Sequence, residues 1–584
     1  MKKAAQHYHY WITPLSPIHI GDGSELCPTD YVINANKVQL FEPTLPENLH
    51  DELLTLVNNN VQLHQLQTFF KRNIRQLKIR HAIPTTTALQ QEYNKLTDDK
   101  KINKFAISRM IRHPYNEEAY IPGSSLKGAI TTSWLASLSA NNQNMLLKNK
   151  LETKKTALDT TGKKRIQLEQ AQYHAIFPTS EIIEKYDKLR KNTNRTLAQN
   201  FKQEREQQHA NQNELRQWNN NIRQLKAEET ALKKEILELA KQVNETVTTN
   251  LYRITGNNAQ EKMANDPRRL LKISDAQPTE KIKKAITYSV NISKGAAEPN
   301  GVNKRVELIC AKQYRAFKGE ISIQAIIEQH HFANLRVMPH DWNKLVKQSN
   351  QRIINQLIEN DLPKYKTMGL NQLWITKFEE IITQTLHAKL DDGSMMLIRL
   401  GMASSAELKT LDGYRSILIK EKPLYRAGYY NSERAFTTWL TSNQAKTLDD
   451  SYPFGWAIIE FSHENTPEDC EILQAFCGIN VEQARIDKDR LKEEARQAAL
   501  SPVLQELENI KYAFRFNKIN WISDAGMKLK AFISNIENGN LILNELDKKA
   551  IATTLNQQFF TKISGYKDSK EAKKFHATLN TFIQ

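Results

Sequence analysis

The chain has 584 residues, with 82 Lys plus Arg against 65 Asp plus Glu, a net charge of +17 and a pI near 9.3. That balance favours a polyanionic partner, since each neutralised phosphate releases counterions. Four scattered cysteines (Cys27, Cys310, Cys470, Cys477), the closest two seven apart, argue against a disulfide framework or a zinc site, and no apolar run reaches the length of a membrane span. The length suits three or four average domains or one large domain with insertions, and 40% hydrophobic content is ample for a core.

In chain order, residues 6–13 alternate as a half-buried strand with no signal-like apolar core before them, which predicts a cytoplasmic protein. A Pro- and Gly-bounded turn follows, LSPIHIGDG (15–23), carrying His19 between the strand and Gly21 and Gly23. Residues 30–41 read as a hairpin turning at Asn34–Asn36, and residues 47–80 as helical. The last stretch, Phe70 to Arg80, interleaves five cations with apolar residues at helical spacing and is read as one amphipathic helix.

Residues 120–130, YIPGSSLKGAI, read as a strand end, a tight loop and the first turn of a helix. Ser124 or Ser125 can cap that helix, and Gly123 and Gly128 allow close approach of a ligand backbone. A helix N-terminus with a lysine, Lys127, suits a phosphate. The spacing is wrong for an ATP-binding P-loop, because Lys127 precedes Gly128 and Ala129 stands where a Mg²⁺-binding hydroxyl would be needed. A phosphate here belongs to a polymer rather than to ATP, and no cofactor is implied.

Between 181 and 250, Leu215, Trp218, Ile222, Leu225, Leu232, Ile236, Leu239 and Val243 follow a three–four spacing, with Glu229 in a seam position. This predicts a long helix forming half of a helical hairpin or coiled coil, with the Asn- and Gln-rich stretch 191–221 as its less ordered arm. Residues 269–275, 285–294 and 304–324 are strand-rich, and His330–His331 and Trp342 introduce helices to about 390. A loop at Asp391–Gly393 and a strand at 395–400 lead into Leu400–Thr410. From 465 the pattern is helical, for example Glu482–Leu507 and Asp524–Ile536.

LSPIHIGDG followed about a hundred residues later by YIPGSSLKGAI resembles the RAMP superfamily of CRISPR-associated RNA-binding proteins. Within it, the chain is most similar to the fifth subunit of the Csm (type III-A) effector complex. DPRRLLKISDA (266–276), YRAFKGEISI (314–323) and PFGWAIIEF (453–461) support the match through their order and spread. The resemblance implies an α+β, ferredoxin-like (RRM-like) core, split into 1–180 and 251–464 by the 181–250 coiled-coil-like insertion and followed by a C-terminal helical region, 465–584. It implies a non-catalytic subunit that binds guide RNA (crRNA), caps its 3′ end in the backbone filament, and supports crRNA maturation and complex assembly in antiviral defence. Its partners would be the crRNA and through it target RNA, neighbouring RAMP backbone and small subunits, and host nucleases, with no membrane.

The implied RNA-binding residues are Gly123, Ser124, Ser125, Lys127 and Gly128, with His19, Gly21 and Gly23 shaping the adjacent wall. The 400–410 segment resembles the family's Gly-rich loop near the RNA path. Only Gly401 is a glycine here, with Ser404 and Ser405 in place of others, so Lys409 and Arg415 would carry more of the grip. Two alternatives stay open. His19 suits acid–base chemistry near neutral pH, so the chain could be a metal-independent crRNA-processing endoribonuclease, although no motif links a second acid–base residue to it. Alternatively, the helices form a protein–protein scaffold without direct RNA binding.

Overall fold

The opening strand does not keep its alternation: from Tyr10 to Pro14 every residue is buried, on both faces of a strand that lies inside a sheet. The computed structural model describes residues 4–59, 62–99, 105–139, 145–191, 195–209, 211–252, 254, 256–293, 296, 298–326, 338–420, 428–431, 434–435, 437–448, 450–499, 501–514, 524–541, 543, 545–555, 577 and 580. The chain divides into two units, Met1–Gly478 and Ile479–Gln584.

In the first unit, the central strand Gln6–Pro14 pairs antiparallel with Phe317–Ile323 on one side and Trp456–Ser462 on the other. Leu271–Ile273 adds to Phe317–Ile323, and Met395–Arg399 adds to Trp456–Ser462. The helix Gly123–Ser139 connects the first of these strands toward the second, and the helix Trp342–Gln356 follows the third. Without the extra edge strand Met395–Arg399, the spatial order is fourth, first, third, second, which is the ferredoxin-like β-α-β-β-α-β arrangement. The sheet, the two helices and their neighbours share one core. Trp342 contacts Trp134 of the first helix edge-on (centroids 5.4 Å apart), Phe461 of the sheet (5.1 Å) and the Tyr8 ring (5.7 Å).

Two sequence motifs find their packing reasons in this sheet. Gly319 of YRAFKGEISI faces Tyr10 across the strand pair, and any side chain there would collide with the Tyr10 ring. The Tyr10 hydroxyl continues past it to donate to the Ser274 carbonyl at 2.8 Å. In PFGWAIIEF, Gly455 adopts φ +89° and its amide donates to the Pro17 carbonyl (2.8 Å), tying the late strand to the first turn.

A second six-stranded sheet runs Tyr452–Pro453, Thr437–Ser442, Lys284–Ser293, Asn300–Ile309, Ile107–Met110 and Gly21–Leu26. The predicted hairpin forms from Tyr31–Asn34 and Lys37–Phe41, with Ala35 and Asn36 both at positive φ as a two-residue turn needs. Its third strand, Ile79–Pro84, corrects the expected helix through Arg80: helix Leu63–Asn73 ends in a short 3₁₀ turn, and the chain then extends. Propensity was overridden there by pairing to Lys37–Phe41.

The heptad helix spans Gln212–Tyr252 and packs antiparallel against Met145–Ile176, with Leu151, Leu158, Leu232 and Ile236 in the seam. Glu229 is buried in that seam because the Arg165 guanidinium meets it at 2.6 Å, and Arg165 also holds Glu169 at 2.6 Å. The Asn- and Gln-rich arm is helical over Arg195–Gln207, where Phe201 joins Phe177 and Tyr186 in a small aromatic cluster. His330 and His331 lie outside the described residues; helices run from Trp342 to Asp391 as expected.

The second unit is helical, with Val503, Leu507, Leu529, Phe532 and Ile551 in a core of its own. The expected Glu482–Leu507 helix is two helices, Val481–Ala499 and Pro502–Phe514, the second opening on a proline whose missing N–H costs nothing at a helix start.

Candidate nucleic-acid interface

The 120–130 segment forms the expected helix start, with a single bridge from Ile121 to Ala276 in place of the expected strand end, and its residues divide between two directions. Gly123 is pinned on the KISDA strand: its amide donates to Asp275 Oδ1 at 2.7 Å, and a Cβ there would run into the Ile273 carbonyl. Lys127 turns the same way, its ammonium donating to the Leu271 carbonyl at 2.7 Å. Partial burial, with Lys272 and Arg268 nearby, holds the Lys127 pKa below the usual lysine value. Both residues therefore fasten the helix to the sheet. Ser124, Ser125 and Gly128 point the other way, where no side chain at 128 would meet anything.

Those three line a cavity of about 280 Å³ whose opposite wall is the 399–409 segment. Three cations converge on it. Arg352, from helix Trp342–Gln356, donates through Nε to Asp412 (2.8 Å) and through Nη2 to the Glu407 and Thr410 carbonyls (3.0 and 3.2 Å), while its buried Nη1 has no partner among the described residues. Burial pulls the Arg352 pKa down to about 10. Arg399 ends the strand Met395–Arg399, donates from Nε to the Phe454 carbonyl at 2.8 Å and lies over the Trp456 ring. Lys409 reaches back toward the Gly401 carbonyl (3.4 Å), its pKa lowered by burial and by Arg399. Ser124 and Ser125 at a helix start thus share one cavity with three cations, while the Ser404 hydroxyl donates to the Gly401 carbonyl (2.9 Å); cations beside a helix start are chemistry that suits an anion.

His19, Gly21 and Gly23 stand behind this wall rather than in it. Gly401, at φ +75°, packs so tightly on the His19 carbonyl that a side chain would overlap it, and the Met402 amide donates to the same oxygen at 2.8 Å. The His19 ring is buried, its Nδ1 2.5 Å from the Glu307 carbonyl, and desolvation holds its pKa below the usual imidazole value. Gly21 leaves room beside that ring, where an added Cβ would lie 3.0 Å from Nε2; Gly23 is exposed at φ +87°. Arg415 is also buried: it bonds Thr410 Oγ1 (3.0 Å), the Glu407 carbonyl (3.2 Å) and Asp412, bracing the loop from within.

Thus Ser124, Ser125, Gly128 and Lys409 meet at one cavity; Gly123 and Lys127 fasten its helix to the sheet, His19 and Arg415 back the 401–412 segment, and Gly21 and Gly23 lie apart from it. Sequence reasoning missed Arg352 and Arg399. For Arg399 the signal was available, since it is a cation ending the otherwise apolar strand MMLIR immediately before Leu400–Gly401. Arg352 had none: on an amphipathic helix it reads as an ordinary solvated face.

Three comparisons bear on this arrangement. The family model of the RAMP superfamily matches residues 11–362. No curated protein matches the chain. Among solved structures, a cryo-EM Csm–crRNA–target RNA ternary complex of a type III-A CRISPR-Cas system contains a similar chain, with 16% identity, 79% of this chain and 100% of that one covered, and a TM-score of 0.40. The crystal structure of T. onnurineus Csm5 is similar at 14% identity, covering 67% of this chain and 89% of that one, with a TM-score of 0.33. The family match runs from the central strand through the Gly123 helix to the helices beneath the cavity, more than half of the sequence: the chain belongs to the RAMP superfamily.

Proposed function

We propose that this protein is a non-catalytic guide-RNA-binding subunit of a type III-A CRISPR effector complex. In that reading it caps the crRNA 3′ end of the backbone filament in the cytoplasm, meets target RNA through the guide, contacts neighbouring backbone and small subunits, and supports maturation by recruiting nucleases. The observation that carries it is the cavity where Ser124, Ser125 and Gly128 face Arg352, Arg399 and Lys409. Such a site grips phosphates without reading bases, which suits a guide whose sequence varies and whose pairing does the reading. The five sequence segments quoted above support the type III-A assignment.

The test is the salt dependence of RNA affinity. Arg352→Ala and Lys409→Ala should each weaken binding of a 40-nucleotide RNA about uniformly across sequences and lower the log–log salt slope by about 1. Negligible affinity at low salt, or wild-type slopes in both variants, would favour the scaffold reading. The ribonuclease reading has less support, because the buried His19 ring is turned onto a backbone carbonyl and its pKa is shifted toward the neutral form. Repeat RNA cleaved without metal by the wild type, but not by His19→Ala, would restore it.

A further inference from the structure

On the other side of the 401–409 segment lies a second cavity of about 440 Å³, which shares Arg399, Ser404 and Lys409 with the first. Its chemistry differs: it contains two deeply buried carboxylates, Asp361 (3% exposed) and Glu407 (1%), and an indole, Trp439. Glu407 Oε1 accepts from the Ala435 amide at 2.7 Å and lies 3.6 Å from the Lys364 ammonium. Among the described residues, Glu407 Oε2 and Asp361 Oδ2 have no hydrogen-bond partner, nor does the Oδ1 of the adjacent Asn360. Unsatisfied buried acceptors are expensive, and natural proteins leave few of them without a reason.

Their position is specific. Asn360 and Asp361 end a π-helical turn, Leu357–Asp361, that interrupts the helix running from Trp342, and Pro363 follows within the next helical turn. Such turns recur at functional sites because they redirect side chains out of helical register. The cavity also carries Lys304, Lys364, Arg399 and Lys409 beside its two acids, so cations stand where it adjoins the first cavity and carboxylates offer acceptors to N–H donors. Lys304 sits 5.6 Å from the centroid of the Trp439 ring.

We propose that this second cavity receives the nucleoside of the nucleotide whose phosphate is held in the first, and that Asp361 and Glu407 select a base with paired N–H donors, guanine foremost. Carboxylate oxygens accept from guanine N1–H and N2–H₂ together; uracil offers one N–H flanked by two carbonyls that a carboxylate repels. Trp439 supplies a face for stacking. This rests on the RNA-binding reading and adds to it a single position where base identity matters.

The experiment uses the full chain at pH 7.5 with U₈ RNA, a set of U₈ variants carrying one G at each position in turn, and the free nucleotides GMP and UMP. At least one G-substituted RNA should bind about tenfold more tightly than U₈, and GMP more tightly than UMP. In Asp361→Asn and Glu407→Gln those ratios should fall to within twofold of one. The wild-type comparison needs no variant to fold. RNA binding with no base preference in the wild type overturns this inference alone. GMP binding with base preference, but no RNA binding, keeps the pocket and overturns the RNA reading; no binding of either overturns both.

Discussion

Asp361 sits where a carboxyl group is least comfortable, buried, with its second oxygen unpaired among the described residues. Burial raises its pKa from 3.8 to about 6 even though Arg399 and Lys364 pull the other way; Glu407 adds to the rise. The folded protein therefore holds this proton more tightly than the unfolded chain does. Its contribution to stability is greatest below about pH 4, declines as pH rises toward about 6, and stays at its low level above that. Asp361→Asn removes the ionisation and should be more stable than wild type at pH 7.5 by up to ~3 kcal/mol, with the gap closing toward pH 4. Urea denaturation at both pH values checks this, and equal stability at pH 7.5 would contradict it. Lys127 predicts a different split. Because its ammonium is used on the Leu271 carbonyl, Lys127→Met should cost about 1 kcal/mol of stability yet leave the RNA salt slope at its wild-type value. Fluorescence-detected denaturation beside a salt titration separates the two effects. At this scale the sequence was informative about residue type and silent about direction. YIPGSSLKG promised an anion site, but only the fold shows that Gly123 and Lys127 face the sheet while Ser124, Ser125 and Gly128 face the cavity.

The helical hairpin was the element most legible in sequence, because a three–four apolar spacing sustained over Leu215–Val243 allows little else. Its partner was not legible. Met145–Ile176 carries Lys, Thr and Gln around most of its circumference, and its seam shows only when Arg165 is seen to meet Glu229. A charge in a heptad position reads as a break; here it is half of a buried pair that fixes how the two helices align. Glu229→Ala should destabilise the hairpin by about 1–3 kcal/mol, since the buried Arg165 guanidinium loses one of its two carboxylates and keeps Glu169. The double variant Arg165→Met, Glu229→Leu should recover most or all of that loss. Hydrogen exchange of residues 151–165 and 222–236 is the readout, and a double variant as unstable as the single one would refute the account. The missed strand Ile79–Pro84 has the opposite cause. Its cation-rich approach looked helical because local spacing cannot register a hairpin edge formed by residues 37–41.

At the scale of the whole molecule, the ferredoxin-like order of the first sheet and the placement of its motifs followed from the resemblance, whereas the second six-stranded sheet had no sequence precursor beyond isolated strands. Its neighbours come from four distant stretches of chain, so no local pattern announces their pairing. The hairpin is also anchored to the cavity wall. Val243, Val247 and Tyr252 at its base share a cluster with Leu411 and Tyr414, and the Lys155 ammonium donates to the Arg415 carbonyl. Replacing residues 172–219, at the far end, with a short turn should leave the salt dependence of RNA affinity unchanged, whereas Tyr252→Ala should weaken RNA binding several-fold by loosening the 411–415 segment. Binding isotherms at two salt concentrations decide this; equal effects of the two changes would contradict it.

The pairing of the central strand sets an order of events in time. Residues 6–14 are synthesised well before the strands that flank them, residues 317–323 and 456–462. At typical synthesis rates, the second flank follows roughly 20–90 s after the first strand. Throughout that interval the strand waits with at least one edge open, and the long insertion is made in between. The nascent chain therefore needs shelter at this strand, and slow synthesis lengthens the exposure of the same strand on which the finished sheet is built.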